Sequence, residues 1–269
     1  MAGMTHPGVF DGFIIDLDGV VWIGAEPIPG AVETLHILRE RGKRILYLTN
    51  DPRDSRADYA ARLTGLGIKA AAEDVLTSGS ATAEFIRRRQ GELGRTAYVI
   101  GSSALKAELS SIGLELIEGE AGCEAAVVVV GGHEDFDYQE LRIAARAVRG
   151  GAEFFATGRD AVFPMPDGLW PATGAVLAAV ETAGGRRAVA VGKPEPFIFE
   201  IARSLIAPCE RVAVVGDHLE SDVAGGKRAG MATILVLSGN TRREDLAGAP
   251  VQPDIVLPDL SGLVELTQR

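Results

Sequence analysis

The chain has 269 residues, 46% hydrophobic and 24% charged, with a formal net charge of −10 at pH 7. That acidic balance argues against a nucleic-acid surface, which needs a basic face, and no apolar run approaches the roughly 20 residues needed to span a bilayer. Cys123 and Cys209 lie far apart and outside any C-x-x-C, and four scattered histidines offer no H-x-x-x-H spacing, so the expectation is a reduced, cytoplasmic protein without disulfide, zinc, nucleic-acid or membrane partner.

The N-terminal Met1-Ala2-Gly3-Met4-Thr5-His6-Pro7 lacks the basic-then-apolar order of a signal peptide. Phe13-Ile14-Ile15 then reads as a buried strand that reaches Asp16 and Asp18 and breaks at Gly19. Alternate strand residues share a side, so the two carboxylates project together. Held that close they repel, unless a cation sits between them or one keeps its proton. A strand-ending Asp-Gly turn explains the pair equally well at this point. Residues 20–30, punctuated by Gly and Pro, read as a hairpin or flap in which Trp22 packs. Apolar residues at 32, 35, 37 and 38 followed by Gly42 predict a helix over 31–41.

A second strand over 44–48 ends in Thr49-Asn50-Asp51-Pro52, and a helix over 55–66 and a short strand over 75–78 follow. Helices are expected at 81–89, 104–112 and 138–149, with strands at 97–100, 127–130 and 153–157. Arg87-Arg88-Arg89, beside Glu84 and Glu92, reads as a solvated helix face. A loop containing Pro164, Pro166 and Pro171 leads into a helix over 174–181, and Gly184-Gly185 punctuates. Strands at 188–191, 212–215, 233–237 and 254–256 alternate with helices at 197–206 and 222–229. The chain is βα throughout, too long for a single doubly wound sheet with a crossover helix per strand. Two α/β units fit better: a core of 1–79 and 185–269, with 80–184 inserted as a smaller domain.

Four strand ends carry polar residues suited to one chemistry. Asp16 and Asp18 end the first, Thr49-Asn50 the second, Gly192-Lys193-Pro194 the strand after the glycine pair, and Gly216-Asp217 with Asp222 the next. Open parallel sheets bind ligands at such ends. Oxygen-only ligands suit Mg²⁺, and a lysine with loop N–H groups suits a phosphate. A carboxylate facing a metal-bound phosphoryl group can attack it, and a second can shuttle the proton.

Asp16-Leu17-Asp18-Gly19-Val20, Thr49-Asn50, Gly192-Lys193-Pro194 and Gly216-Asp217-x-x-x-x-Asp222, in that order, resemble the four motifs of the haloacid-dehalogenase-like (HAD) phosphatases. The insertion between the second and third motifs is similar to the C2-type cap of the NagD-like subfamily. Ile28-Pro29-Gly30-Ala31, Thr49-Asn50-Asp51-Pro52, Thr77-Ser78-Gly79-Ser80 and Leu235-Val236-Leu237-Ser238-Gly239 match the same branch.

The resemblance implies an Mg²⁺-dependent phosphomonoesterase working through an aspartyl phosphate. Asp16 is then nucleophile and metal ligand, and Asp18 is general acid/base with its carbonyl on the metal. Thr49 and the Asn50 amide hold phosphoryl oxygens, Lys193 neutralises charge, Asp217 ligates the metal, and Asp222 orients a metal water or Lys193. The implied substrate is a nucleoside monophosphate, sugar phosphate, glycerol phosphate or aryl phosphate. Pairing of two copies through their caps is a further implication, though 80–184 shows no evident sticky face.

Two departures stand out. Asp51 adds a negative charge beside the phosphate loop. In Ala156-Thr157-Gly158-Arg159-Asp160, which matches a family segment Ala-Thr-Asn-x-Asp, glycine replaces asparagine. Thr157, Arg159 and Asp160 are the candidate specificity residues, with Arg159 a potential cation. His218 is expected to be structural. The rival reading is a ligand-binding or regulatory protein with a retained but little-used site. A dinucleotide oxidoreductase is weaker still, since Val99-Ile100-Gly101-Ser102-Ser103 lacks the G-x-G-x-x-G glycines.

Overall fold

The computed structural model describes residues 10–165 and 167–267; the N-terminal heptapeptide and Pro166 considered above lie outside them. The chain divides into two compact units. One runs to Thr49, takes in Ala57–Leu76 and resumes at Phe199; the other holds Asn50–Arg56 and Thr77–Ile198.

A six-stranded sheet organises the first unit, in the order Ile255–Leu257, Ala232–Val236, Val212–Gly216, Gly12–Asp16, Arg44–Thr49, Val75–Thr77. The first five are joined by parallel pairing. Phe13, Ile14 and Ile15 are fully buried, as a central strand covered on both faces requires. Register decides where the polar ends fall: Ile15 pairs with Val215, Asp16 with Leu48, and Gly216 with Leu235. Asp18, Thr49, Asp217 and Ser238 therefore leave the sheet at its carboxyl edge. The helix Ala31–Glu40 buries Leu35 and Leu38 on the sheet, starting after Gly30 in the left-handed region. The expected flap is the antiparallel pair Trp22–Ile23 and Glu26–Pro27.

The second unit holds a five-stranded sheet, all of whose pairs are parallel, in the order Val189–Ala190, Glu153–Ala156, Val127–Val130, Thr96–Ile100, Glu115–Leu116. Its centre is four consecutive buried valines, whose branched side chains suit a two-sided interior. Tyr138–Arg149, capped by Asp137 accepting from the Glu140 N–H at 2.8 Å, packs Ile143, Ala144 and Val148 into the core.

Several elements differ from the sequence reading, among them the unexpected edge strand Glu115–Leu116. The sequence places the strand over 188–191 in the core with the first two motifs, but Val189–Ala190 pairs with Phe155 and Ala156. A two-residue edge strand with a half-exposed Val189 carries too little pattern to specify its sheet. The proline-rich loop is an antiparallel hairpin, Val162–Met165 with Gly168–Pro171. A lone two-stranded ribbon is all edge, where proline is tolerated. The helix read from Ala81 begins at Ser78, because Thr77 and Ser80 cap each other and Gly79 masks the start. The helix read from Asp222 begins as a π-helical turn, Leu219–Ala224, before Gly225–Arg228. His218 starts it by accepting at Nδ1 from the Glu220 and Ser221 amides.

Candidate active site

Asp16, Asp217 and Asp222 come together at the carboxyl edge of the first unit's sheet. One carboxylate oxygen from each lies within 4.8 Å of the other two, and Asp217 and Asp222 are buried. Three carboxylates this close in a partly buried place repel one another without a cation, and an all-oxygen donor set fits a hard divalent ion such as Mg²⁺. The surroundings are built around them. A Cβ at Gly239 would lie 2.0 Å from Asp217 Oδ2, and one at Gly216 would lie 2.3 Å from Asp222 Oδ2. Asp217 Oδ2 accepts from the Asn240 N–H at 2.6 Å, and Asp222 Oδ2 from the His218 N–H at 3.1 Å.

Asp16 Oδ1 accepts the Leu17 amide at 2.8 Å. The chain then turns tightly: Leu17's carbonyl takes the amides of Val20, Val21 and Trp22, and Gly19 sits at φ +78°. A Cβ there would also meet Asp217 Oδ2 at 2.3 Å, so only glycine meets both demands. The turn carries Asp18 out to solvent, where its Oδ1 accepts from the Trp22 indole N–H at 2.9 Å. Trp22 itself is fully buried. Its ring stacks on Tyr59 at 6.4 Å and 2°, with the Arg62 guanidinium 3.8 Å from its centroid.

Thr49, buried, closes the strand Arg44–Thr49 at the same edge. In the second unit, Asn50, Lys193 and Asp160 form a connected group. The Asn50 amide oxygen accepts the Lys193 backbone N–H at 2.8 Å, and its Nδ2 donates to the Lys193 carbonyl at 2.9 Å and to Asp160 Oδ2 at 2.7 Å. Lys193 is 3% exposed.

The other candidates resolve differently. Thr157 is buried and ends the strand Glu153–Ala156, its carbonyl accepting the Gly192 amide. Arg159 donates to Glu181 Oε1 at 2.9 Å and to the Ala188 carbonyl at 2.8 Å, so Glu181 matches the cation expected there. Burial pushes the Glu181 carboxyl up, but the Arg159 guanidinium and the Ala188 amide together outweigh it and hold the carboxyl below its usual range. Asp51, the extra negative charge, is gripped by the Arg53 guanidinium through Nε at 2.9 Å and Nη2 at 2.9 Å. Arg53 also lies 4.4 Å over the Phe163 ring.

Three contacts were not among the sequence-predicted roles: the Trp22 indole on Asp18, the Ser78 hydroxyl on the Asn50 carbonyl at 2.6 Å, and the Ser238 hydroxyl on the Gly19 carbonyl at 2.7 Å. Only the polar character of Ser78 and Ser238, at strand ends, marked the latter two.

Comparison with known proteins agrees with this geometry. A haloacid dehalogenase-like hydrolase family model matches residues 13–115, and a second, described as HAD-hydrolase-like, matches 190–263. The ribonucleotide monophosphatase NagD of Escherichia coli K12 is 35% identical over 249 residues, covering 92% of this chain and 96% of that protein. This chain belongs to the haloacid dehalogenase-like hydrolases. Within that family it is NagD-like, and it is also 38% identical to chronophin of Homo sapiens over 250 residues, 88% of this chain and 84% of that one. Among solved structures, glycerol phosphate phosphatase of Mycobacterium tuberculosis in complex with magnesium superposes with a TM-score of 0.88. It is 32% identical, over 96% of this chain and 77% of that one.

Proposed function

We propose that this haloacid dehalogenase-like hydrolase is an Mg²⁺-dependent phosphatase that cleaves small phosphate monoesters through an aspartyl phosphate on Asp16. The observation that carries the reading is the three-aspartate cluster, whose oxygens converge within 4.8 Å beside Asp18. Asp16, the Asp18 carbonyl and Asp217 would hold the ion, with Asp222 behind them. When bound, Mg²⁺ supplies positive charge against the phosphoryl oxygens and the carboxylates.

The protein's own groups perform the bond changes. A carboxylate oxygen of Asp16 attacks phosphorus, and the ester P–O bond breaks as Asp18 gives its proton to the leaving oxygen. Asp18, now ionised, takes a proton from water; that water attacks phosphorus, releasing phosphate and restoring Asp16. Thr49, the Asn50 amide and Lys193 are assigned to the phosphoryl oxygens, since phosphoryl transfer depends mainly on positioning and charge stabilisation.

The core is read as 1–79 with 185–269, except for the short strand Val189–Ala190, which pairs with Phe155 and Ala156, and 80–184 as a cap in which Thr157, Arg159 and Asp160 bear on specificity through the loop they form. The NagD and glycerol phosphate phosphatase names span nucleotides and polyol phosphates, so the substrate class is stated as small phosphorylated metabolites, including sugar and aryl phosphates. A cytoplasmic location and pairing through the cap belong to the same reading; sedimentation of the purified chain tests the second. No helix among the described residues is long and apolar enough to cross a membrane. The regulatory alternative draws on Asp51 and Gly158, and Arg53 balances the charge of Asp51.

Replacement of Asp16 by Asn tests the assignment. Phosphate release from p-nitrophenyl phosphate with Mg²⁺ should fall by about 10³-fold or more, as for loss of a nucleophile. Undiminished turnover rejects Asp16 as nucleophile.

A further inference from the structure

We propose that the Asn50 side chain is a positioning residue for Lys193, and that Asp160 holds Asn50 in the orientation this requires. The inference rests on the reading of Lys193 as the cation that meets the phosphate's charge.

A lysine ammonium ends a flexible four-carbon stem, so its usefulness depends on how firmly its root is held. Asn50, 143 residues away in sequence, takes both backbone groups of Lys193, accepting at Oδ1 and donating from Nδ2. The pairing fixes the amide's orientation, because reversing it would set donor against donor and acceptor against acceptor. The second Nδ2 hydrogen goes to the Asp160 carboxylate at 2.7 Å, a charge-assisted bond. Asp160 thus selects the orientation in which the nitrogen faces the Lys193 carbonyl.

The neighbourhood is shaped to allow this. A Cβ on Gly192 would lie 2.8 Å from Asn50 Oδ1 and 2.2 Å from the Thr157 carbonyl oxygen, so glycine lets the chain before Lys193 come this close. The Ser78 hydroxyl, itself fully buried, donates to the Asn50 carbonyl at 2.6 Å and anchors the main chain from which the amide extends. The resemblance assigns a role only to the backbone N–H of Asn50; its side chain has a separate task. Asp160 then acts through Asn50 rather than by reading the substrate.

The test uses the full chain with p-nitrophenyl phosphate and Mg²⁺, comparing Asn50→Asp, Asp160→Asn, their double variant and Lys193→Met. An aspartate at 50 cannot donate to the Lys193 carbonyl and repels Asp160, so kcat/KM should fall by about 30-fold or more, with Tm little changed. In the double variant an amide at 160 donates to the carboxylate at 50, and kcat/KM should recover at least about fivefold over Asn50→Asp. That rescue is a result a merely structural role does not give. Wild-type activity in Asn50→Asp, or a double variant as poor as the product of the singles, overturns the proposal. If Asn50→Asp does not fold, Asp160→Asn decides: a loss of about threefold to tenfold supports the proposal, and full activity overturns it. Lys193→Met separates the two levels. Full activity there rejects the reading of Lys193, whereas its loss beside an active Asn50→Asp rejects only the positioning role.

Discussion

Asp18 meets the indole of a residue four positions further along, and that bond has a kinetic consequence. The Trp22 N–H holds Oδ1 at 2.9 Å, and the fully buried indole packs against Tyr59 and Arg62, so the carboxylate is aimed by a rigid group. The sequence showed Trp22 as a residue that packs the flap, and it does pack; nothing in its spacing told that the polar edge of the ring faces outward to Asp18. A Trp22→Phe variant keeps most of the packing and removes the donor. General acid catalysis contributes most where the leaving oxygen is basic. The variant should therefore lose about tenfold in kcat on an alkyl phosphate such as glycerol phosphate and little on p-nitrophenyl phosphate. Equal losses on both would show that the indole does not act through Asp18.

At the scale of elements, the helix Ser78–Arg87 illustrates how a local pattern is kept and its energetics tuned. Its basic run reads from the sequence as a solvated face, and Arg87 and Arg88 both reach back to Glu84 at 2.6 and 2.8 Å. The hydrogen bond from Arg87, opposed by partial burial and reinforced by Arg88, holds the Glu84 carboxyl down at about 2. A carboxylate whose folded value lies below its ordinary 4.5 contributes stability above that pH and loses it as pH falls toward 2. Because the arginines are half exposed, the contribution is small. Glu84→Gln should lower Tm by about 1–3 °C at pH 7, the difference closing as pH falls from 4.5 toward 2; calorimetry across that range checks it. A difference that persists unchanged at the acid end would mean that the ion pairs are not its source. The beginning of the same helix was not legible, because the reciprocal Thr77–Ser80 cap uses serine where a capping box more often shows glutamate.

For the whole molecule, the three converging aspartates make stability depend on cation concentration. A ligand that binds only the folded state stabilises it by RT ln(1 + [L]/Kd), about 2.7 kcal/mol at a hundredfold excess over Kd. Added Mg²⁺ should therefore raise Tm and a chelator reverse the rise, while Asp217→Asn should abolish most of the shift. An equal Mg²⁺ response in that variant would locate the stabilising ion elsewhere. This measurement reads binding rather than turnover, so it tests the cluster independently of the nucleophile.

The sequence by itself determined the α/β class, the buried strands around Phe13–Ile15 and Val127–Val130, and the polar residues that end them. Burial on both faces forces continuous apolar runs, and each run stops where its chain meets solvent, so strand and strand end are both written locally. What only the tertiary structure decided depends on register and on chain segments far apart. Pairing of Asp16 with Leu48 and Ile15 with Val215 sets Asp18, Thr49 and Asp217 at one edge. The membership of Val189–Ala190 in the second sheet rests on two rungs with Phe155 and Ala156. The grip of Asn50 on Lys193 spans 143 residues. Periodicity reports which face a residue buries, but not which distant backbone a polar side chain will meet, because that is fixed only when the strands have docked.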